Sequence, residues 1–252
     1  MSAFPEGTVT FVFTDVEGST RLLQELGDRY AEVARDHRRL LRDALGAAGG
    51  TEVDTQGDAF FFSFTRARDA ARGAVDAQRA LRDHSWPDGA EVRVRMGLHT
   101  GEPSVGEEGY LGMDVVRAAR ISAAGHGGQI LVSETTRALL GNSLPEGVTL
   151  HDHGEAQLKD IQHERIYELM VDGEASSFPP LKTDSPKSSG ELLGERIQRR
   201  VERDIERAFL DDDSEPKLPV GLAASGLAIA ALGLALLAAV VIVVILLVKL
   251  AL

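Results

Sequence analysis

The sequence predicts an α+β fold: a ferredoxin-like βαββαβ core with added helix and strands, followed by one C-terminal transmembrane helix. Three observations carry this. Strand-like runs at 8–14, 51–55, 59–64 and 91–99 interleave with two amphipathic stretches in the order strand, helix, strand, strand, helix, strand. The second and third runs flank Gln56-Gly57-Asp58, which reads as a hairpin turn. Residues 219–248 contain no charged side chain, a stretch longer than the roughly 20 apolar residues that span a bilayer.

Residues 8–14, TVTFVFT, are β-branched and aromatic, the composition of a strand. A helix is expected over 19–47, where Leu22, Leu23, Leu26, Tyr30, Val33, Leu40, Leu41 and Leu45 recur at helical spacing and Gly49-Gly50 stops the pattern. After the hairpin a second helix is expected over 66–84, ended by Trp86-Pro87-Asp88-Gly89. Residues 91–99, EVRVRMGLH, alternate as a half-buried strand does. Residues 112–124 read as a helix, 129–132 as a short strand, and Ser133-Glu134 as the start of a short helix to about 141. Strands at 147–152 and 164–170 close the domain, which spans 7–171.

Beyond it, Ser, Pro, Asp and Gly mark 172–190 as a flexible linker. Residues 191–210 form an amphipathic helix, with Leu193, Ile197, Val201, Ile205 and Phe209 spaced by four. Such a stripe suits self-association, docking on the domain, or lying on a membrane surface; the alternating charges suit equally well a solvated helix with one sticky stripe and no specific role. Asp211-Asp212-Asp213 ends it and disfavours anionic lipid. Arg196, Arg199, Arg200, Arg203, Arg207 and Lys217 precede the apolar segment 219–248 and only Lys249 follows it. The positive-inside rule then gives a single-pass C-terminal anchor in the plasma membrane with the bulk of the chain in the cytoplasm.

Composition narrows the chemistry. The 252 residues carry 27 Lys+Arg against 39 Asp+Glu, an acidity that argues against a nucleic-acid partner. There is no cysteine, so disulfides, cysteine nucleophiles, iron–sulfur clusters and thiolate zinc sites are excluded. No Walker A, dinucleotide fingerprint or HExxH motif occurs.

Three segments carry candidate chemistry. In FTDVEGST, Asp15 ends a buried strand and Gly18-Ser19-Thr20 opens a helix. The amides of that helix start form an anion site, and Asp15 beside them suits a divalent cation bridged to phosphate. Alone, the segment suits equally well an ordinary helix start capped by Ser19 or Thr20. In TQGDAF, Asp58 sits in a hairpin turn, where Asp is common for turn chemistry. In a βαββ unit, however, the first and third strands are neighbours, so Asp15 and Asp58 should meet as a carboxylate pair of the kind two-metal phosphoryl chemistry uses. In GMDVVRAARI, Arg117 and Arg120 lie one turn apart on a helix; they suit phosphate neutralisation or a plain surface pair. His99 reads as packing or turn support and His126 as loop. His151 and His153 would make a metal pair only if other ligands converged.

FTDVEGST, QGDAFFF, MGLHTGE and RAARI, in this order and spacing, resemble the catalytic domain of class III nucleotide cyclases over residues 7–171. The resemblance implies the nucleotide cyclase fold and a dimer with shared active sites, as homodimer or heterodimer. It implies attack of the ribose 3′-hydroxyl of ATP or GTP on the α-phosphate, giving a cyclic nucleotide and pyrophosphate, with two Mg²⁺ or Mn²⁺ ions per site. Residue by residue, Asp15, Asp58 and the backbone of Val16 match metal ligands, Gly18, Ser19 and Thr20 the phosphate turn, and Arg120 the transition-state arginine. Lys159 falls near the family's phosphate-binding lysine. Three positions depart: Asp54 and Gly109 replace the base-reading Lys and Asp of adenine-specific members, and Val116 replaces the transition-state Asn. Gln56 and Asp114 are nearby polar groups that could take over, and nothing in the sequence shows that they do. Beside the enzyme, two further readings therefore stand: a degenerate cyclase homology domain that binds nucleotide or regulates a partner at the membrane, and an interaction scaffold.

Overall fold

β1 (Val9–Val16) is the strand around which the sheet is built. It lies antiparallel between β3 (Ala59–Phe64) and β4 (Val94–Gly101). β2 (Thr51–Gln56) pairs outside β3, and Gln56 faces Ala59, leaving Gly57-Asp58 as a two-residue turn. Gly57 has φ 64°, a conformation glycine adopts without a Cβ penalty. Beyond β4, β7 (Ile130–Ser133) runs parallel to it. β9 (Ile161–Val171) and β8 (Val148–Leu158) then complete a seven-stranded sheet of order β2-β3-β1-β4-β7-β9-β8. The first four of these strands are the expected βαββαβ core. In this computed structural model the described residues are 4–106, 109–159, 161–173, 178–182, 189–190, 192–197 and 199, all within the unit Met1–Arg203.

The helix expected over 19–47 is two helices, α1 (Ser19–Leu26) and α2 (Tyr30–Ala47), separated by a 3-10 turn at Gly27–Arg29. Gly27, at φ 54°, caps α1 by donating its N–H to the Leu23 carbonyl; the apolar periodicity continues across the break and conceals it. α2 and α3 (Ala67–Asp83) cover one sheet face, against Val12, Val16, Phe60, Phe62, Phe64, Met96 and Leu98. The alternate residues Val9, Phe11, Phe13, Ala59 and Phe61 face the opposite way, toward α4 (Met113–Ala124). Strands buried on both faces read as unbroken apolar runs, which is why FVF and FFF carry no polar alternation.

α4 reaches the sheet because Gly97 lacks a side chain: a Cβ there would lie 2.2 Å from the Ser122 amide nitrogen. Ahead of it, β5 (Ser104–Gly106) and β6 (Gly109–Leu111) form a small ribbon that was not expected. α5 (Glu134–Leu140) starts as expected, the Ser133 hydroxyl accepting from the Thr136 amide. The closing hairpin is longer than the expected 147–152 and 164–170. It adds 153–158 and 161–163, and cross-strand pairs tie the hairpin, Arg165 Nε to Asp152 Oδ2 at 3.2 Å and His153 Nε2 to Glu168 Oε2 at 2.8 Å.

In the segment read as linker, residues 178–182 lie against the domain. The Lys182 amide donates to the Ala124 carbonyl and Phe178 stacks on His126. Residues 192–197 are helical, and Leu193 and Ile197 are buried on the α4 side of the sheet. Of the three roles open to the amphipathic stripe, this part of it docks on the domain. Val201, Ile205, Phe209 and the transmembrane segment 219–248 lie outside the described residues. Among the described residues no helix is long and apolar enough to cross a membrane.

Candidate active site

The antiparallel register of β1 and β4 sets Asp15 opposite Arg95. Asp15 is 2% exposed. Arg95 donates through both Nε, at 2.8 Å, and Nη2 to Asp15 Oδ2, while the Gly190 amide donates to Oδ1 at 3.2 Å. Burial pushes the Asp15 carboxyl up to about 6; the nearby Asp58 charge adds to the rise and Arg95 opposes it.

Asp58 stands in the two-residue turn that leads into β3, and β3 is the neighbour of β1. The sheet order therefore brings the two aspartates near one another, close enough for the Asp58 charge to act on the Asp15 carboxyl. Asp58 Oδ2 is buried without a hydrogen-bond partner among the described residues, an arrangement folded proteins keep only for a reason. A cavity of about 130 Å³ opens beside it, lined by Val16, Tyr30, His37, Arg38, Gly57 and Asp58. Burial holds His37 down to about 4, against the pull of Asp58.

These residues fit a hard divalent cation. The donors are carboxylate and backbone oxygens, and an orphan carboxylate oxygen already points into buried space. No group of three or more His, Cys, Asp or Glu side chains able to hold a metal occurs among the described residues. A cation here would take its other ligands from the Val16 backbone, water or substrate.

Gly18 is the N-cap of α1, left-handed at φ 69° and ψ 30°. Its carbonyl accepts from Leu22 at 3.0 Å, and no side chain caps the helix. The hydroxyls of Ser19 and Thr20 thus do not serve as caps, and the first amides of α1 are left without a side-chain acceptor, as an anion site requires.

The second half of the constellation centres on α4. Arg120 is 5% exposed, and its Nη2 lies 3.5 Å from Glu195 Oε1. Lys159, in the β8–β9 turn, places Nζ 3.9 Å from the same oxygen. Arg117 pairs with Glu164 at 3.2 Å and does not join them. Asp54, on β2, accepts from the Thr55 amide at 2.8 Å and from Arg196 Nη2 at 2.7 Å. A Cβ at Gly109 would lie 3.7 Å from Val53 Cγ1, so the two positions matched to base reading fall on adjoining segments. Val116 is a buried apolar residue of α4 and offers no donor.

Sequence reasoning missed Arg95, His37, Gly190 and Glu195, and gave Arg196 only a place in the basic flank of the apolar segment. Arg95 carried no signal of its own: it takes a regular polar place in the alternating EVRVRMGLH run, which reads as half-buried, whereas β4 is buried on both faces and the partner of Arg95 depends on register. His99 bridges Ser133 Oγ at 2.9 Å and Asp114 Oδ1 at 3.1 Å, steadying the start of α4. His126 Nε2 contacts the Pro180 carbonyl at 3.1 Å. A larger cavity, about 730 Å³, lies among Trp86, Arg93, Glu168, Met170 and Phe178, and no candidate residue lines it.

A family model, the adenylate and guanylate cyclase catalytic domain, matches residues 1–171. An uncharacterized protein of Mycobacterium tuberculosis is 36% identical over 189 residues, covering 73% of this chain and 64% of that protein. An adenylate cyclase of Mycosarcoma maydis is 39% identical over 155 residues, 52% of this chain and 6% of the relative. The chain thus matches less than two thirds of the length of either relative. Among solved structures, a Trypanosoma brucei adenylate cyclase in its monomeric state shares the fold, with TM-score 0.65 and 23% identity over 72% of this chain and 97% of that one.

Proposed function

The chain belongs to the adenylate and guanylate cyclase catalytic domain family, and we propose from this that it converts ATP or GTP to the 3′,5′-cyclic nucleotide and pyrophosphate in signal transduction. The observation that supports this most is the meeting of Asp15 and Asp58 beside the α1 turn, with one Asp58 oxygen buried and unpartnered among the described residues.

Asp15, Asp58 and the Val16 backbone would hold two Mg²⁺ or Mn²⁺ ions, which supply charge for the phosphates and acidify the attacking hydroxyl. The amides after Gly18, with Ser19 and Thr20, cradle the phosphate chain. In the reaction the ribose 3′-oxygen forms a bond to the α-phosphorus. The bond from that phosphorus to the bridging oxygen breaks, pyrophosphate carries away the electron pair, and the hydroxyl proton passes to solvent. Arg120 neutralises the charge that builds on the α-phosphate, and Lys159 holds the outgoing phosphates. The site is shared by two copies, Arg120 of one meeting the aspartates of the other. Residues 219–248 anchor the chain in the membrane with this domain in the cytoplasm.

A second reading has its own observation. Val116 is apolar, Gly109 has no side chain, and Asp54 is already engaged by Arg196; a domain so altered binds nucleotide and regulates a partner.

One assay separates the two. The full chain in detergent is incubated with Mn²⁺ and ATP or GTP at several protein concentrations, and cyclic product is detected by mass. The expected result is product that rises more steeply than protein concentration and vanishes in Asp15→Ala, with Arg120→Ala slowed by about 10²–10³, the usual cost of losing a transition-state donor. Metal-dependent binding with no product identifies the second reading. Product from Asp15→Ala refutes the assigned roles.

A further inference from the structure

The helical segment that follows the domain touches both halves of the candidate site. The Gly190 amide donates to Asp15 Oδ1 at 3.2 Å. Glu195 Oε1 lies 3.5 Å from Arg120 Nη2 and 3.9 Å from Lys159 Nζ. Arg196 Nη2 donates to Asp54 Oδ2 at 2.7 Å. Four residues of the site are thus engaged by residues 190–196 of the same chain.

The signs of these contacts reproduce those of a metal-bound nucleotide. A carboxylate stands between Arg120 and Lys159, where an anionic phosphate would stand. An N–H dipole meets the Asp15 oxygen that a cation would meet, since Arg95 holds the other oxygen. A guanidinium covers Asp54, the position matched to base reading. Arg120 is only 5% exposed, where a charge needs an anion nearby, and Glu195 is a carboxylate within its reach.

The anchoring is small and specific. Leu193 and Ile197 insert on the α4 side of the sheet with Phe11, Phe13, Phe61 and Ala119. Gly194 lets the helix approach α4, since a Cβ there would lie 2.8 Å from Ala119 Cβ. Among the described residues the apolar anchors are Leu193 and Ile197, and the segment is separated from β9 by a long connection, so release leaves the sheet intact.

We propose that residues 189–199 are an autoinhibitory strap, which closes the site by placing Glu195 where nucleotide phosphate binds and must leave before nucleotide enters. This rests on the reading of the site as a nucleotide site. A protein whose open form is the minor one shows its ligand affinity reduced by the open fraction.

The test measures binding rather than turnover. Mn²⁺-ATP and Mn²⁺-GTP are titrated calorimetrically into three full-length proteins in detergent: wild type, Leu193→Asp, which puts a charge on the buried anchor, and Glu195→Ala, which removes only the phosphate-like carboxylate. Both variants are expected to bind about tenfold or more tightly, as for an open form populated near one part in ten. A thermal melt checks that each is folded; should Leu193→Asp fail it, Glu195→Ala decides alone. Equal affinity in all folded proteins overturns the strap while leaving the nucleotide site standing. No binding by any of them refutes the nucleotide site and the strap with it.

Discussion

At Asp15 a carboxylate gives up its water for one guanidinium and one backbone amide, and its neighbours decide how it behaves. Arg95 is the dominant partner, and both side chains are nearly buried. Removing one member of such a pair strands the other charge, which costs about 3–5 kcal/mol. Arg95→Met is therefore expected to lower the unfolding free energy by that amount in chemical denaturation. A loss below about 1 kcal/mol would mean the pair is open to solvent. His37 makes a separate prediction. Its pKa falls from 6.5 to about 4 because burial penalises the charged ring. A depressed folded-state pKa contributes stability that is complete above the unfolded value and is lost as pH falls through the folded one. At 1.36 kcal/mol per unit, the wild type should lose roughly 3 kcal/mol between pH 6.5 and 4 that His37→Leu does not lose. Asp15 titrates in the opposite sense, with a raised pKa whose contribution fades as pH rises through about 6. Because it is common to both proteins, the difference between the two stability profiles isolates His37. Parallel profiles would place a charged or solvated His37 in the folded state.

Between elements, the decisive contact is α4 on β4. Gly97 sits under Ser122, where a methyl group would approach the helix backbone to 2.2 Å, and neither backbone can rotate away as a flexible side chain would. Gly97→Ala must lift α4, and with it Arg120, two residues before Ser122. Overpacking of this kind costs about 1–3 kcal/mol, so a lower melting temperature is expected together with a rate loss larger than the stability loss explains. A melt unchanged from wild type would show that α4 is not seated as described. This contact also shows what sequence can and cannot convey. That the first and third strands are neighbours follows from the βαββ order of elements, and this is what sets Asp15 near Asp58. The Asp15–Arg95 pair did not follow, because a pairing partner depends on register, and a shift of one residue turns a side chain to the other face. The outer hairpin was underestimated because the residues it adds to the first strand, 153–158, read HGEAQL, with a glycine and polar side chains and no apolar alternation to follow. The break at Gly27 was hidden for the converse reason: Leu22, Leu26, Tyr30 and Val33 keep their spacing across it. Glu195 was beyond reach, since it meets Arg120 across 75 residues of chain.

For the molecule as a whole, the proposed mechanism sets two equilibria before the chemistry, release of the strap and meeting of two copies, and they respond to different parts of the chain. The strap contacts that reach the candidate site come from Gly190, Glu195 and Arg196, and its apolar anchors are Leu193 and Ile197. The proposed anchor, 219–248, lies beyond them. An anchor confines two domains to one plane and raises the concentration each presents to the other, which strengthens pairing without any new contact. Removing residues 218–252 should then move the rise in specific activity to higher protein concentration and leave the plateau where it was. Leu193→Asp should raise activity at every concentration by freeing the site. Since each change acts on its own step, their effects on rate should multiply when combined, as for independent sites. The measurement is specific activity against protein concentration for the four proteins of this cycle, the full chains reconstituted in vesicles and the truncated ones added with the same vesicles. Specific activity that is flat on dilution in both the anchored and the truncated forms would remove the shared-site dimer. A truncation that by itself gives the full gain of Leu193→Asp would mean that the strap is held in place by the segment beyond residue 217, not by Leu193, Ile197 and Glu195.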